Sequence, residues 1–217
     1  MENHSGSGLS RLVVVNDGSR DHTAEILERL TVRYPCLVPL TKPNGGHGSA
    51  VLFGYRYAAK SGADFVFQTD SDGQTDPREF EKFWKCRNSY DAVFGMRPVR
   101  EDGADRAFVE KVLCMILKVY FGVMLPDANA PYRLMRRSYQ DEFLPYFEPS
   151  YNLPNAMLTV FGASCGKKIR FIPITFRKRR AGNNSINPKK IVRIGVQALA
   201  DFAHFRKVIA EKKENAD

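Results

Sequence analysis

The sequence has 217 residues, of which 43% are hydrophobic and 12% aromatic, and its formal net charge is +9. This size and composition predict a globular protein that can bury one substantial core. A transmembrane helix needs about 20 consecutive apolar residues, and the best candidate, at 107–126, is interrupted by Glu110, Lys111 and Lys118. We therefore expect no membrane-spanning segment.

The chain begins with MENHSGSGLSR, which lacks the charged and then apolar pattern of a secretion signal. We predict a disordered tail at 1–10 and a cytoplasmic protein. The four cysteines are far apart in the sequence and form no CxxC pair, which argues against a disulfide framework or a zinc ribbon. They are predicted to be reduced thiols, mostly in the core.

Short apolar runs then alternate with helical patterns. Strands are predicted at 11–17, 36–43, 63–70 and 90–97, and helices are predicted to begin near Asp21, Ser49 and Asp76. This alternation indicates an α/β fold with a mostly parallel sheet covered by helices on both faces. Ligands of such sheets bind beyond the carboxyl ends of the strands.

Aspartates stand at the predicted carboxyl ends of two strands. Asp17 follows the first strand, and Asp70, Asp72 and Gln74 follow the third, in the stretch VFQTDSDGQTDP. Residues two apart in an extended segment point the same way, so Asp70 and Asp72 can converge on one point. Oxygen ligands of this kind select Mg²⁺ or Mn²⁺, completed by substrate phosphates. The alternative is a plain turn whose side chains bond their own backbone.

Positive charge is concentrated at the C-terminal end. From residue 167 onward there are 14 Lys and Arg against 4 Asp and Glu. Such a segment can bind nucleic acid, an anionic membrane surface or phosphorylated substrates, and nucleic acid is disfavoured because no known binding signature is present. A basic amphipathic helix is predicted at 189–217. Either it lies on an anionic bilayer, or it packs its apolar side on its own domain.

Five motifs, in order, resemble one protein family: VVVNDGSRDHT, KPNGGHGSA, FQTDSDGQTDP, PDANAPYRLMRR and FRKRRAGNNSIN. They are similar to the family-2 glycosyltransferases, and most closely to the branch that transfers a sugar from a nucleotide to a polyprenyl phosphate. The resemblance covers about residues 11–190. It implies a GT-A fold, which is a Rossmann-like, mostly parallel sheet with flanking helices, formed here by a domain at 11–188.

The resemblance also assigns roles to residues. It implies that Asp17 contacts the nucleotide, and that Asp70, Asp72 and Gln74 hold the metal and the donor diphosphate. It implies phosphate-binding roles for two arginines after later strands and for a basic loop, namely Arg97, Arg133, Arg179 and Ser185. Asp72, Asp127 and Arg133 are the predicted catalytic residues. Asp127 is the candidate base for a hydroxyl acceptor, and the alternative is that it only caps a turn.

Two departures from the family pattern stand out. The branch usually has Ser-Gly-Phe-Arg where this chain reads APYR at 130–133. The family also begins with a strand that precedes VVVNDGS, so the resemblance implies a GT-A fold that is truncated at its N-terminus.

The implied activity is a metal-dependent, inverting transfer from a UDP- or GDP-sugar to dolichyl or undecaprenyl phosphate, or to a similar membrane-linked acceptor. The implied location is peripheral, at the cytoplasmic membrane face, with contact through the C-terminal helix. The alternative is a catalytically impaired relative that binds nucleotide-sugar or supports a partner enzyme.

Overall fold

The structure is a computed structural model, and it describes residues 10–99, 104–178 and 188–214. The first half alternates strands and helices as predicted: β1 (Leu12–Asn16), α1 (Thr23–Arg33), β2 (Leu37–Thr41), α2 (His47–Lys60), β3 (Phe65–Thr69), α3 (Phe80–Cys86) and β4 (Ala92–Met96). A 3-10 turn at Pro77–Glu79 precedes α3, and the Asp76 side chain caps it by accepting from the amide of Arg78. All four predicted strands are confirmed.

The second half is richer in helix. Its elements are α4 (Ala104–Phe121), β5 (Tyr132–Arg136), α5 (Arg137–Phe143), α6 (Pro154–Ser164), β6 (Ile169–Pro173) and α7 (Pro188–Glu214). The predicted C-terminal helix is thus present as α7.

The strands form two sheets. β1 pairs in parallel with β2, and the other four strands form a sheet in the order β3-β5-β4-β6. β4 and β6 are parallel, whereas β5 runs antiparallel to both β3 and β4. The predicted α/β architecture is therefore confirmed, with β5 as the antiparallel strand within it.

The four-stranded sheet is buried on both faces, because its side chains alternate between two clusters. One face carries Val66, Phe94 and Met135 into the larger core, which α2, α4, α5, α6 and α7 cover. The opposite face carries Val93, Tyr132, Leu134 and Ile172 into a smaller core, which α3 covers with Phe83 and Trp84. This two-residue alternation is the ordinary geometry of a strand.

The C-terminal helix packs on the domain. Phe202 of α7 is 1% exposed and contacts the rings of Tyr120 and Phe121 at the end of α4, with centroids 6.0 and 5.5 Å away. Phe205 packs against Phe147 and Phe161. The apolar side chains of α7 that the structure describes therefore pack on the protein's own domain, which was the second of the two predicted arrangements.

Two other expectations concern cysteines and membrane spans. All four cysteines are free. Cys36 is exposed, whereas the other three, Cys86, Cys114 and Cys165, are half-buried and pack against the two cores, as predicted for most of them. None of the helices in the described part of the chain is both long and apolar enough to cross a bilayer.

Candidate functional site

Asp17 lies directly after β1 and accepts hydrogen bonds from the start of α2. The amides of Gly45 and Gly46 donate to its two carboxylate oxygens at 2.9 and 2.8 Å, and Lys42 Nζ donates at 2.6 Å. Partial burial opposes ionisation, but these donors outweigh it and lower the pKa of Asp17. The carboxylate is therefore held ionised at the mouth of the turn between β2 and α2.

The loop after β3 lies beside that turn. Asp70 Oδ1 is 3.9 Å from His47 Nε2, at the first position of α2, and 3.4 Å from the side-chain amide of Gln68. Asp72 Oδ1 accepts from the amide of Gln74 at 3.1 Å. Asp17 thus follows β1, and Asp70 and Asp72 follow β3, so all three carboxylates stand just after the carboxyl ends of strands, where ligands of α/β folds bind.

Gln74 joins this loop to the segment that follows β6. Its side-chain nitrogen donates to the Arg177 carbonyl at 2.8 Å, its own carbonyl accepts from the Arg177 amide at 2.8 Å, and it is only 2% exposed. Asp76 accepts from Arg177 and, through both oxygens, from Arg78. The hydrogen bonds and charge of Arg78, helped by Arg177, lower the pKa of Asp76. The segment after β6, which leads into the predicted basic loop, therefore lies beside the aspartate-rich loop.

A buried ion pair stands at the end of β4. Arg97 donates through Nε and Nη2 to the two oxygens of Asp127, at 2.7 and 2.8 Å, and its guanidinium lies 5.0 Å from the centre of the Phe176 ring. Both side chains are at most 5% exposed. Burial opposes ionisation of Asp127, but the bidentate arginine prevails and lowers its pKa.

Glu110 of α4 completes this cluster. Its Oε1 accepts from the amides of Ala128 and Asn129 at 3.0 and 3.2 Å, and its Oε2 lies 3.3 Å from Arg97 Nη2. Burial and the charge of Asp127 raise the pKa of Glu110, although Arg97 opposes the shift. Glu110 therefore fixes both the backbone beside Asp127 and the arginine that Asp127 binds.

Arg133 lies beneath the same loop and is fully buried. It donates to the carbonyls of Ala130 and Ala128 at 2.8 and 2.7 Å and to the Thr159 hydroxyl at 2.6 Å, while its guanidinium stacks 4.4 Å from the centre of the Phe94 ring. Burial lowers its pKa. Within the part of the chain that the structure describes, its Nη1 atom has no hydrogen-bond partner. In this geometry Arg133 supports the loop from inside, and its contact with a phosphate stays a prediction.

The donor set at the aspartate-rich loop fits a metal that the substrate completes. Among residues 10–99, 104–178 and 188–214 no group of three or more His, Cys, Asp or Glu side chains forms a ready metal cage. Mg²⁺ usually takes one or two carboxylates together with phosphate oxygens and water. Asp70 and Asp72 supply that number of carboxylates.

The structure thus connects most of the predicted site residues along one edge, through a series of contacts that runs from Asp17 to Asp127. Arg179 and Ser185 lie outside the described residues. The sequence analysis missed Glu110, Lys42 and the position of His47. Glu110 belongs to no local sequence motif. His47 lies within the glycine-rich turn and Lys42 just before it, so that turn was a signal from which both residues could have been predicted.

The model of the family described as "Glycosyl transferase family 2" matches residues 6–144. This chain belongs to glycosyl transferase family 2. The family predicted from the motifs is therefore confirmed.

Its relatives include proteins named undecaprenyl-phosphate 4-deoxy-4-formamido-L-arabinose transferase. That of Pseudomonas fluorescens (strain Pf0-1) is 26% identical over 186 residues, which are 84% of this chain and 52% of the relative. That of Pseudomonas paraeruginosa (strain DSM 24068 / PA7) is 31% identical over 146 residues, which are 66% and 42%. The chain spans about half the length of these curated relatives.

Solved structures show the same fold at low sequence identity. Glucosyl-3-phosphoglycerate synthase from Mycobacterium tuberculosis, in complex with Mn²⁺, UDP and glucosyl-3-phosphoglycerate, superposes with a TM-score of 0.60 at 16% identity, over 90% of this chain and 68% of that one. S. aureus TarS in complex with UDP-GlcNAc gives 0.55 at 18% identity, over 85% and 55%. The predicted GT-A fold is confirmed.

Proposed function

We propose that this chain is an inverting glycosyltransferase that moves a sugar from a nucleotide-diphosphate donor to undecaprenyl phosphate or a similar polyprenyl phosphate. Membership of the family supports the transferase activity, and the names of the curated relatives support the acceptor and disfavour the impaired-relative alternative. The observation that carries the proposal is the line of contacts from Asp17 through the aspartate-rich loop to the Arg97–Asp127 pair. Asp17, Asp70 and Arg97 each come directly after a strand, and ligands of α/β sheets bind beyond the carboxyl ends of strands.

Asp70 and Asp72 are the proposed ligands of a divalent ion, Mg²⁺ or Mn²⁺, with Gln74 beside them. When bound, that ion supplies positive charge to the departing diphosphate. Solved relatives crystallised with Mn²⁺ together with UDP or UDP-glucose support the choice of a divalent ion. Asp17, fixed by two amides and Lys42, is the proposed nucleotide contact.

The state of Asp127 favours a phosphate acceptor. Its pKa is lowered and both oxygens are bound by Arg97, so it is a weak base that would remove a proton from a sugar hydroxyl poorly. A phosphate monoester has a second pKa of about 6 and is already mostly a dianion near neutral pH. Its oxygen can attack the anomeric carbon directly, and a single displacement inverts that centre. Asp127 then serves to hold Arg97 in place.

Repulsion between the acceptor phosphate and the donor diphosphate is the remaining obstacle. We propose that Arg97, Arg133, Arg179 and Ser185 share the relief of that repulsion. Arg177 is hydrogen-bonded to Gln74 of the aspartate-rich loop. Arg179 follows it by two residues in the sequence. A lipid-linked acceptor also implies a peripheral position at the cytoplasmic membrane face.

The proposal is tested by measuring sugar transfer to undecaprenyl phosphate from UDP- and GDP-sugars in the presence of Mn²⁺. Asp72→Asn should lower the rate by about 100-fold or more, because the leaving diphosphate loses its metal-held charge partner. Asp64→Asn, which removes an exposed carboxylate just before β3, is the matched control and should leave the rate unchanged. Transfer that survives Asp72→Asn, or a folded wild-type chain with no transfer from any donor, would refute the proposal.

A further inference from the structure

One side of α4 carries large apolar side chains into solvent. Phe108 is 67% exposed, Val112 36%, Met115 65% and Val119 79%. These four residues are spaced by four, three and four positions, so they lie within about 60° of arc along about 16 Å of helix. We call them the α4 stripe. A contiguous apolar stripe of this kind marks an interaction site, unlike single exposed side chains.

The opposite side of α4 already has its partners. Leu117 is fully buried, Leu113 packs against the larger core, and Phe121 contacts Phe202 of α7. The α4 stripe is therefore not needed to hold the helix on the domain. Its exposed apolar side chains are available to contact a surface outside the domain.

The charges around the α4 stripe favour an anionic surface. Lys111 and Lys118 are both exposed and, being seven residues apart, lie on the same flank of the stripe. α4 contains two acidic residues, Asp105 in its first turn and Glu110, and Glu110 is turned inward to the Arg97–Asp127 pair. An apolar strip flanked by lysines is the pattern of a helix that lies in the interface of an anionic bilayer.

The chain that leaves α4 leads to the candidate site. Met124, just after the end of α4, is 78% exposed, and three residues later comes Asp127. A surface that contacts the α4 stripe and Met124 is thus adjacent in the chain to the Arg97–Asp127 pair.

The C-terminal helix is the other candidate for membrane contact, but its described apolar residues are occupied. Ala198, Phe202, Phe205, Val208 and Ile209 are all buried against the domain. Of the large apolar side chains that the structure describes on these two helices, the exposed ones are on α4 and include the α4 stripe.

We propose that the α4 stripe docks the protein on an anionic lipid bilayer, with Lys111 and Lys118 at the level of the lipid phosphates. This docking deepens the proposed peripheral position at the membrane and rests on it, but its test is independent of the transferase activity, because vesicle binding is measured without donor or acceptor.

The test is flotation of the full 217-residue chain with vesicles of phosphatidylcholine alone or mixed with phosphatidylglycerol. The wild-type chain should bind the mixed vesicles, and the variant F108S/M115Q/V119Q should bind them at least about tenfold more weakly. The variant K111Q/K118Q should lose about tenfold in affinity for the mixed vesicles and little for the neutral ones. All of these changes are at exposed positions, and thermal unfolding checks that the variants stay folded.

Two controls match these variants. Val32→Gln replaces an apolar residue of α1 that is 88% exposed, and R206Q/K207Q removes exposed charge from α7. Both should bind as the wild type does. The proposal is overturned if the wild-type chain does not bind anionic vesicles, if the α4 variants bind as well as it does, or if only the α7 variant loses binding. It is equally overturned if the α4 variants instead abolish self-association in vesicle-free solution and leave vesicle binding intact.

Discussion

At the scale of single residues, Asp17 shows how one carboxylate serves both fold and site. It receives two amides at the start of α2, where the helix dipole also favours a negative charge, and it pairs with Lys42. The proposed nucleotide contact is therefore fixed in place by the fold before any ligand arrives.

This arrangement predicts a pH-dependent contribution to stability. The pKa of Asp17 is lower in the folded chain than its ordinary value of 3.8, so its contribution is fully present above the unfolded pKa and is lost as pH falls through the folded pKa. Relative to Asp17→Asn, the wild type should be more stable near neutral pH, and its advantage should shrink between about pH 5 and pH 2.

Urea unfolding of both proteins over that pH range measures this difference. Asp64→Asn is the control for the loss of an exposed carboxylate. An advantage for the wild type that does not change with pH would contradict the assigned role of Asp17.

The residues of the site differ in how far the sequence could predict them. Asp17, Asp70 and Asp72 each follow a predicted strand, and α/β folds bind ligands beyond the carboxyl ends of their strands, so their place in a site could be predicted. Glu110 could not be predicted, because it lies within a helix and meets Ala128 and Asn129 only after folding. The burial of Arg133 could not be predicted either, since it depends on the cross-strand register of β5, which places Arg133 beside Gln68 and Phe94.

At the scale of elements, α2 depends on one close approach. Gly48, in its first turn, faces the backbone of the loop before α6, and a Cβ there would meet the Asn152 carbonyl oxygen at 2.6 Å and the Tyr151 carbonyl oxygen closer still. Backbone atoms cannot yield as the end of a flexible side chain can. The glycine therefore sets the depth at which the start of α2, with His47 and the Asp17 donors, sits in the molecule.

We expect Gly48→Ala to destabilise the protein by about 1–3 kcal/mol through this overpacking. The matched control is Gly54→Ala in the same helix, where the added Cβ meets the nearest atom, in Val15, at an ordinary 3.4 Å. Because alanine favours a helix over glycine by about 1 kcal/mol, the control should be neutral or stabilising. Chemical denaturation compares the two, and equal stabilities for both variants would contradict the packing argument.

β5 is one of the elements that the sequence analysis did not predict, together with α4, α5, α6 and β6. Its sequence, YRLMR, carries two arginines in five residues, and it enters the sheet antiparallel between β3 and β4. Apolar periodicity predicts strands well only where the two sides differ in polarity. Here a charged residue is buried on one face, so the apolar pattern did not predict a strand.

At the scale of the whole molecule, α7 closes the larger core. Phe202 and Phe205 insert between α4 and the segment around Phe147 and Phe161, so the end of the chain contacts elements from its middle. The sequence predicted the amphipathic helix, but it could not tell whether a bilayer or the domain received the apolar side, because both are apolar partners of the same kind.

Phe202→Ala should lower the free energy of unfolding by about 3–5 kcal/mol, the usual cost of removing a buried aromatic ring. Val32→Ala, at an exposed apolar position, should change it by less than about 0.5 kcal/mol. Thermal and urea unfolding measure both. A loss for Phe202→Ala as small as that of the control would mean that α7 does not close the core in solution.

The two sides of α4 have one more consequence. Glu110 points inward from this helix and the α4 stripe points outward, so the thickness of a helix, about 10 Å, separates the Arg97–Asp127 pair from whatever the stripe rests on. If the stripe rests on a bilayer, the Arg97–Asp127 pair is held at a fixed height above the membrane surface, close to the level of the lipid phosphates. An acceptor would then be selected by the depth at which its reactive oxygen lies as well as by its chemistry.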